Sequence, residues 1–455
     1  MMRAYAVSEL AAAVAARHRG DDVRVSGIAI DSRRVQAGDL FVALPGTRVD
    51  GHDFLADAAA RGATAALVSR PQESPLPQLV CDDVLATLGE LGACNRRAFT
   101  GPVVGITGSC GKTSVKGMLS TVLARRSAVL ATAGNLNNEI GVPMTLLRLS
   151  PDYGIAVVEM GARGVGHIDY LCRLATPDIA MLLNASPAHL EGFGSLQAVA
   201  DAKGEIFDRL SAQGTAVINV DSPFADTWQA RAQATGARVI SYALHAPASV
   251  TASAIDLAPD HCRFRLRHAG REAAVRLPLP GEHSVSNALA TAAAALACGL
   301  SLDDVAAGLA DVQAVAGRLQ RRAGRDGISL IDDAYNANPA SVRAAIDVLR
   351  QCDGPRVLVL GDMLELGEQT QRAHGEVGRY ARDSGIEQLV AVGDAARAAA
   401  EAFGADAHCF AANADAIAAI AAWSRGASTV LVKGSRGAAM EQILAALLPP
   451  QEPSC

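Results

Sequence analysis

The 455-residue sequence predicts an α/β protein of three domains: a small N-terminal α/β unit, a central P-loop domain on a parallel sheet, and a C-terminal α/β domain. Three observations carry this reading. Short β-rich runs alternate with alanine-rich helical stretches through the middle of the chain. A glycine-rich turn joins one of those runs to a helix. A second series of alternation begins after residues 316–317. The length also exceeds what one ordinary core supports.

In the middle of the chain, Pro102 to Thr107, Gly154 to Glu159, Asp178 to Asn184 and Ala216 to Asp221 read as buried strands. Each precedes helix-compatible sequence, the pattern of a parallel sheet covered by helices. Ile328 to Ile331, Arg356 to Leu360, Gln388 to Val392 and Thr429 to Val432 form the later series. The first eighty residues offer strands at Val25 to Ala29 and Leu40 to Ala43, with turn signals at Pro45-Gly46 and Asp50-Gly51. Ser8 reads as the N-cap of a first helix. Pro71, Pro75 and Pro77 mark a surface connection, and a second boundary falls near Ala316 and Gly317.

Composition narrows the function. Half of the residues are hydrophobic and 19% are charged, as in globular proteins with ample core. A net charge of -6 provides no bulk basic field for a polyanion, so nucleic acid is not expected as a partner. Nine cysteines without a CxxC pair read as reduced thiols. Glu9 interrupts the apolar N-terminal stretch, so no secretion signal is read there. Ala288 to Leu300 is too short to span a bilayer. The expectation is a cytoplasmic protein without membrane insertion.

The strongest local signal is Gly105-Ile-Thr-Gly-Ser-Cys-Gly-Lys-Thr-Ser114. A buried strand enters a glycine-rich turn and then the helix-compatible Ser114 to Leu123. In such a turn, successive N–H groups and the helix N-terminus point at phosphate. Thr107, Gly108, Ser109, Cys110, Gly111, Lys112 and Thr113 are therefore the candidate ATP-binding loop. Lys112 neutralises phosphate charge, and the Thr113 hydroxyl suits magnesium. The strict pattern asks for glycine at 106, where Ile106 stands; the bland alternative is a glycine turn followed by a chance lysine. The strand–turn–helix context favours phosphate. Cys110 reads as a small filler and not a nucleophile. A P-loop identifies a nucleotide, not a reaction, so a nucleotide switch is the alternative from another class. The guanine-reading NKxD of switch GTPases is absent.

Three further residues sit where chemistry is done. Glu159 ends a buried strand, the side of a parallel sheet where ligands bind, and suits a magnesium ligand. His189 follows another strand as a ligand or proton carrier, and Lys203 lies in a helix whose apolar face includes Leu196, Val199, Ile206 and Leu210. Read alone, each has an ordinary structural explanation.

Taken together, these residues resemble the Mur ligase family, and the match covers nearly the whole chain. Its markers occur in family order: Asp31-Ser-Arg33, Gly38 to Ala43 and Asp50-Gly-His52; the loop Thr107 to Thr113; Asn135 to Pro143; Glu159; His189; Lys203; Gly281-Glu-His283 with Asn287; Gly317-Arg318; Asp332 to Pro339; and Lys433-Gly-Ser-Arg436. The family form of the loop accounts for Ile106. Asn137 to Gly141, Asp333 to Pro339 and Leu360 to Gly367 resemble the branch that adds D-alanyl-D-alanine to UDP-N-acetylmuramoyl-tripeptide. The sibling that adds the third residue is the nearest alternative, but its Asp-Asn-Pro-Arg motif is absent.

The resemblance implies residues 1–82 as a uridine-nucleotide domain, 83–316 as the ATP-binding domain and 317–455 as a Rossmann-like domain. It implies ATP and magnesium as cofactors, a monomer, and the following roles. Lys112, Asn138, His189 and Lys203 are catalytic, with Asn137 and Asn138 not distinguished; Lys203 is carbamylated. Thr113, Glu159, His189 and Lys203 surround metal, while Asn287, Arg318, Asp333 and Asn336 meet the nucleotide from the other side. Ser32 and Arg33 hold the uridine end of the acceptor, and Lys433 and Arg436 its peptide end.

Overall fold

The computed structural model describes residues 2–46, 49–186, 193–424 and 428–449. His189 lies outside the described residues. The chain builds three main sheets and one short ribbon.

The central sheet has nine strands. In spatial order they are Val129–Ala131, Ile155–Glu159, Val103–Thr107, Ile179–Leu182, Thr215–Asn219, Arg238–Ala243, Val250–Leu257, Cys262–His268 and Arg271–Leu277. The first seven run parallel and the last two close the sheet antiparallel. The four strands expected here form, with ends shifted by one or two residues. The antiparallel extension was not among them. Its strand Cys262–His268 alternates buried Cys262, Phe264 and Leu266 with exposed Arg263, Arg265 and Arg267, so one face meets the core and the other water. Helices cover both faces. Lys112–Leu123 and the alanine-rich Glu282–Ala297 pack together on one side, where small side chains allow close approach. His167–Ala175, Leu196–Gly204 and Ala225–Ala234 cover the other.

Val103–Thr107 has later strands on both sides: Ile155–Glu159 on one and Ile179–Leu182 on the other. The connections therefore leave in opposite directions, opening a crevice at the carboxyl ends of these strands. Thr107 and Glu159 both end there.

The C-terminal sheet orders its strands Gln320–Ala323, Ser329–Asp333, Thr429–Lys433, Arg356–Gly361, Gln388–Val392 and Ala407–Phe410. All but the first are parallel, giving the Rossmann-like alternation expected, with Thr429–Lys433 inserted between earlier strands. That insertion brings Lys433 into register with Asp333.

The N-terminal sheet has five strands, with Gly27–Ala29, Asp39–Val42, Ala65–Val68 and Gln78–Val80 parallel and Arg17–Arg19 antiparallel at the edge. Two expectations fail here. Val25 to Ala29 is not one strand: Arg24–Val25 pairs with Tyr5–Ala6, and Gly27–Ala29 joins the larger sheet. The switch occurs at Ser26, whose carbonyl accepts from Met2 N while its N–H donates to Gly38 O. Ser8 is not an N-cap. The helix is Val7–Ala13, entered through Ala6, and Ser8 instead donates its N–H and hydroxyl to Asp22. Helix Val84–Ala98 bridges the N-terminal and central cores. Val84, Leu88 and Leu91 pack in the N-terminal cluster, while Asn95 donates to Leu146 O and Leu149 O of the central unit. Among the described residues no helix is long and apolar enough to cross a membrane.

Candidate active site

The phosphate loop owes its shape to two glycines and a clamp. Gly108 has φ of 155° and Gly111 of 83°, backbone settings that L side chains rarely adopt. A Cβ at Gly111 would also meet Asn287 Oδ1 at 2.8 Å. Asn184 holds the loop from the neighbouring strand: its Oδ1 accepts from Cys110 N at 2.9 Å, and its Nδ2 donates to Cys110 O at 3.2 Å. Ser109 Oγ donates to Ser186 O and accepts from Ser186 N. Gly111 caps helix Lys112–Leu123, so that helix starts at the loop. Lys112 Nζ donates to Gly108 O at 2.5 Å, and burial pushes its pKa down against the pull of Glu159. The ammonium is thus positioned inside the loop. Thr107 is fully buried, with its hydroxyl engaged by Met160 O.

A second cluster forms around Glu159, which is 1% exposed. Thr113 Oγ1 lies 3.3 Å from its Oε2, Asn137 Nδ2 donates to Oε1 at 2.8 Å, and Lys116 Nζ pairs with Oε2 at 3.0 Å. The Glu159 N–H donates to Thr132 Oγ1, fixing the strand end. Sequence reasoning left Asn137 and Asn138 unresolved. Asn137 reaches the carboxylate, whereas Asn138 Oδ1 accepts from Gly141 N and shapes the following turn. Lys116 was missed altogether. Its signal was spacing: it follows Thr113 by three residues and Lys112 by four, on the same helix face. Asn184 and Ser186 were missed as loop clamps, and nothing local in the sequence marks them.

Lys203 is 2% exposed in helix Leu196–Gly204. Burial, followed by the nearby Lys112 charge, pushes its pKa down to about 7. A solvated helix lysine would show neither property.

Opposite the phosphate loop, the C-terminal unit closes a cavity of about 350 Å³. Cys110, Gly111 and Asn287 line one wall; Arg318, Asp333 and Lys433 line the other. The size suits a small-molecule site. Lys433, 1% exposed, donates to Asp333 Oδ2 at 2.5 Å and to Asn336 O at 2.9 Å. Burial raises the Asp333 pKa, and Lys433 pulls it back. The Lys433 charge is therefore already answered inside the protein. Tyr335 carries Arg318 over its ring at 4.2 Å and Arg436 at 5.7 Å. The Arg318 Nε is buried without a partner.

The uridine-side candidates are on the N-terminal unit. Ser32 is buried, and Arg33 is exposed with its guanidinium held on Asp31 at 2.7 and 2.9 Å. Hydrogen bonding from Arg33 lowers the Asp31 pKa to about 2. Neither residue lines the cavity beside the phosphate loop.

Thr113 and Glu159 offer hard oxygen ligands beside a phosphate loop, as magnesium requires. Among the described residues no group of three His, Cys, Asp or Glu side chains is placed to hold a metal alone.

Comparison with known proteins matches three successive segments of the chain. Residues 24–90 match the Mur ligase family catalytic domain, 106–295 the Mur ligase middle domain, and 317–436 the Mur ligase glutamate ligase domain. The UDP-N-acetylmuramoyl-tripeptide--D-alanyl-D-alanine ligase of Escherichia coli (strain K12) is 44% identical over 94% of this chain and 95% of its own length. The protein of that name from Mycobacterium tuberculosis (strain ATCC 25618 / H37Rv) is 38% identical over 81% and 78%. A crystal structure of MurF from Acinetobacter baumannii superposes with a TM-score of 0.92 at 36% identity, covering 98% of both chains. MurF ligase from Thermotoga maritima in complex with ADP gives 0.82 at 27% identity, covering 92% of this chain and 96% of that one. Kinship of this extent, over all three sheets and through the phosphate loop, settles the ancestry: the chain belongs to the Mur ligase family.

Proposed function

We propose that this chain is an ATP-dependent ligase that joins D-alanyl-D-alanine to the terminal carboxylate of UDP-N-acetylmuramoyl-tripeptide through an acyl phosphate, in peptidoglycan precursor synthesis. The observation that carries the reading is the cavity shared by the phosphate loop and the C-terminal unit. A carboxylate activated as an acyl phosphate is open to wasteful hydrolysis, and a site walled by two units keeps water from it. The similarity to ligases named for this reaction supports the substrate pair.

The first step sets an anionic carboxylate against a triphosphate. Lys112, desolvated within the loop, answers charge on the transferred phosphoryl group. Thr113 and Glu159 would hold magnesium, with Asn137 orienting the Glu159 carboxylate. When bound, the ion supplies Lewis-acid stabilisation of phosphoryl oxygens. Lys116 balances Glu159 in its absence. Arg318 and Asn287 line the cavity and would meet the nucleotide there. Ser32 and Arg33 grip the uridine end of the acceptor, and Arg436 the peptide end. His189 or a phosphate oxygen accepts the proton of the incoming amine in this reading.

Lys203 is the carbamylation site in the same proposal. An amine must be neutral to attack carbon dioxide, and a pKa near 7 leaves a large neutral fraction at physiological pH. The added carboxylate replaces a buried cation with an anion suited to magnesium. The enzyme is read as a cytoplasmic monomer divided at residues 82–83 and 316–317.

The deciding experiment is ADP release coupled to mass spectrometry of the product. ADP should form only with ATP, divalent metal, UDP-N-acetylmuramoyl-tripeptide and D-alanyl-D-alanine together, with a UDP-linked pentapeptide appearing in equal amount. Turnover of ATP without either substrate would instead indicate a nucleotide switch. Product with a diamino acid and the dipeptide acceptor would indicate the third-residue sibling.

A further inference from the structure

A hydrogen-bonded side-chain pair far apart in sequence joins the phosphate loop to the C-terminal unit. Cys110 Sγ lies 3.0 Å from Asn338 Nδ2 and 3.4 Å from Asn338 Oδ1. Each partner is fixed by its own unit. The Cys110 backbone is held on both N–H and carbonyl by Asn184. Asn338 caps helix Pro339–Leu349: its Oδ1 accepts from Ser341 N at 2.9 Å, and its N–H donates to Ser341 Oγ at 3.0 Å. Capping engages the amide oxygen and leaves the Nδ2 hydrogens facing the loop. A thiol is a weak acceptor, so this contact is inexpensive to break. Because both ends are held rigidly, it forms only at one separation of the two units.

We propose that Cys110 and Asn338 are a positioning pair, a latch that registers the C-terminal unit against the phosphate loop when the nucleotide cavity closes. The pair does not touch the reacting atoms. It sets where Arg318 and Asp333 arrive relative to Lys112. The proposal rests on the ligase reading and adds to it a specific contact that links nucleotide loop to domain closure.

The test is a double-mutant cycle on product formation. Asn338→Ser keeps a capping oxygen but is too short to reach the thiol; Cys110→Ala removes the sulfur. Each single change should lower kcat about threefold to tenfold, and the double variant should be no slower than the slower single. Asn338→Ser should leave ADP affinity, measured by calorimetry without acceptor, unchanged. Cys110→Ser should recover part of the loss. In parallel, iodoacetamide labelling read by peptide mass mapping should modify Cys110 faster in Asn338→Ser with ADP bound, while exposed Cys409 labels at its usual rate. Rate losses that multiply, together with an unaltered Cys110 labelling rate, would overturn the latch. A wild-type protein that makes no pentapeptide would instead remove the ligase reading.

Discussion

Lys116 and Glu159 face each other at 3.0 Å beneath the phosphate loop, both almost wholly buried. A buried carboxylate beside an anion site requires a countercharge, and without metal this lysine supplies it. The pair explains how the Glu159 carboxylate is tolerated in the interior.

Lys116→Met should therefore destabilise the nucleotide-free protein by about 3 kcal/mol or more, because Glu159 is left buried and unbalanced. Magnesium with ADP should recover part of the loss by supplying a cation at the same carboxylate. Thermal melts with and without both ligands measure this. Equal melts for wild type and variant would show that the pair contributes nothing.

Lys112→Ala should lower kcat/KM by about 100-fold or more if, as proposed, the residue answers charge that develops on the phosphoryl group. The melting transition should persist, because burial already disfavours the Lys112 charge in the free loop. A substantial surviving rate contradicts the assignment.

Lys203 should make behaviour pH-dependent in a defined direction. Its folded pKa is about 7 against 10.5 for the free side chain, so the unfolded chain binds more protons between those values. The destabilising effect of its burial is fully present below about pH 7 and is relieved as pH rises toward 10.5. Enzyme stripped of carbon dioxide should lose activity and regain it with bicarbonate, more completely above about pH 7 than below. Lys203→Ala should be rescued in part by formate or acetate. Failure of rescue at every concentration returns Lys203 to the role of a plain buried amine.

Arg33→Ala should weaken binding of the UDP-linked acceptor about tenfold while leaving ATP affinity unaltered, since Arg33 lies on the N-terminal unit away from the nucleotide cavity. Calorimetry with each ligand decides this. Matching losses for both would move Arg33 out of the acceptor site.

The linear chain already showed the phosphate loop, because a strand, two special glycines and a helix start are all local. Glu159 was legible as a strand-end acid for the same reason. Lys116 was not, since a helix lysine looks solvated until the strand beside it is known. Asn137 and Asn138 looked equivalent in sequence; the turn closed by Asn138 on Gly141 turns only Asn137 toward Glu159. The split at Ser26 was also hidden, because it depends on two different sheets claiming one peptide unit.

What the sequence determined by itself was the α/β alternation, the anion-binding turn and the family markers, all of which rest on neighbours in the chain and on residue type. Tertiary structure alone decided that Asn184 clamps Cys110, that Lys433 is answered by Asp333, and that Asn338 meets the phosphate loop. Those relations join residues separated by 74, 100 and 228 positions. Strand order and domain packing set them, and neither leaves a periodic or local trace for a reader of the chain.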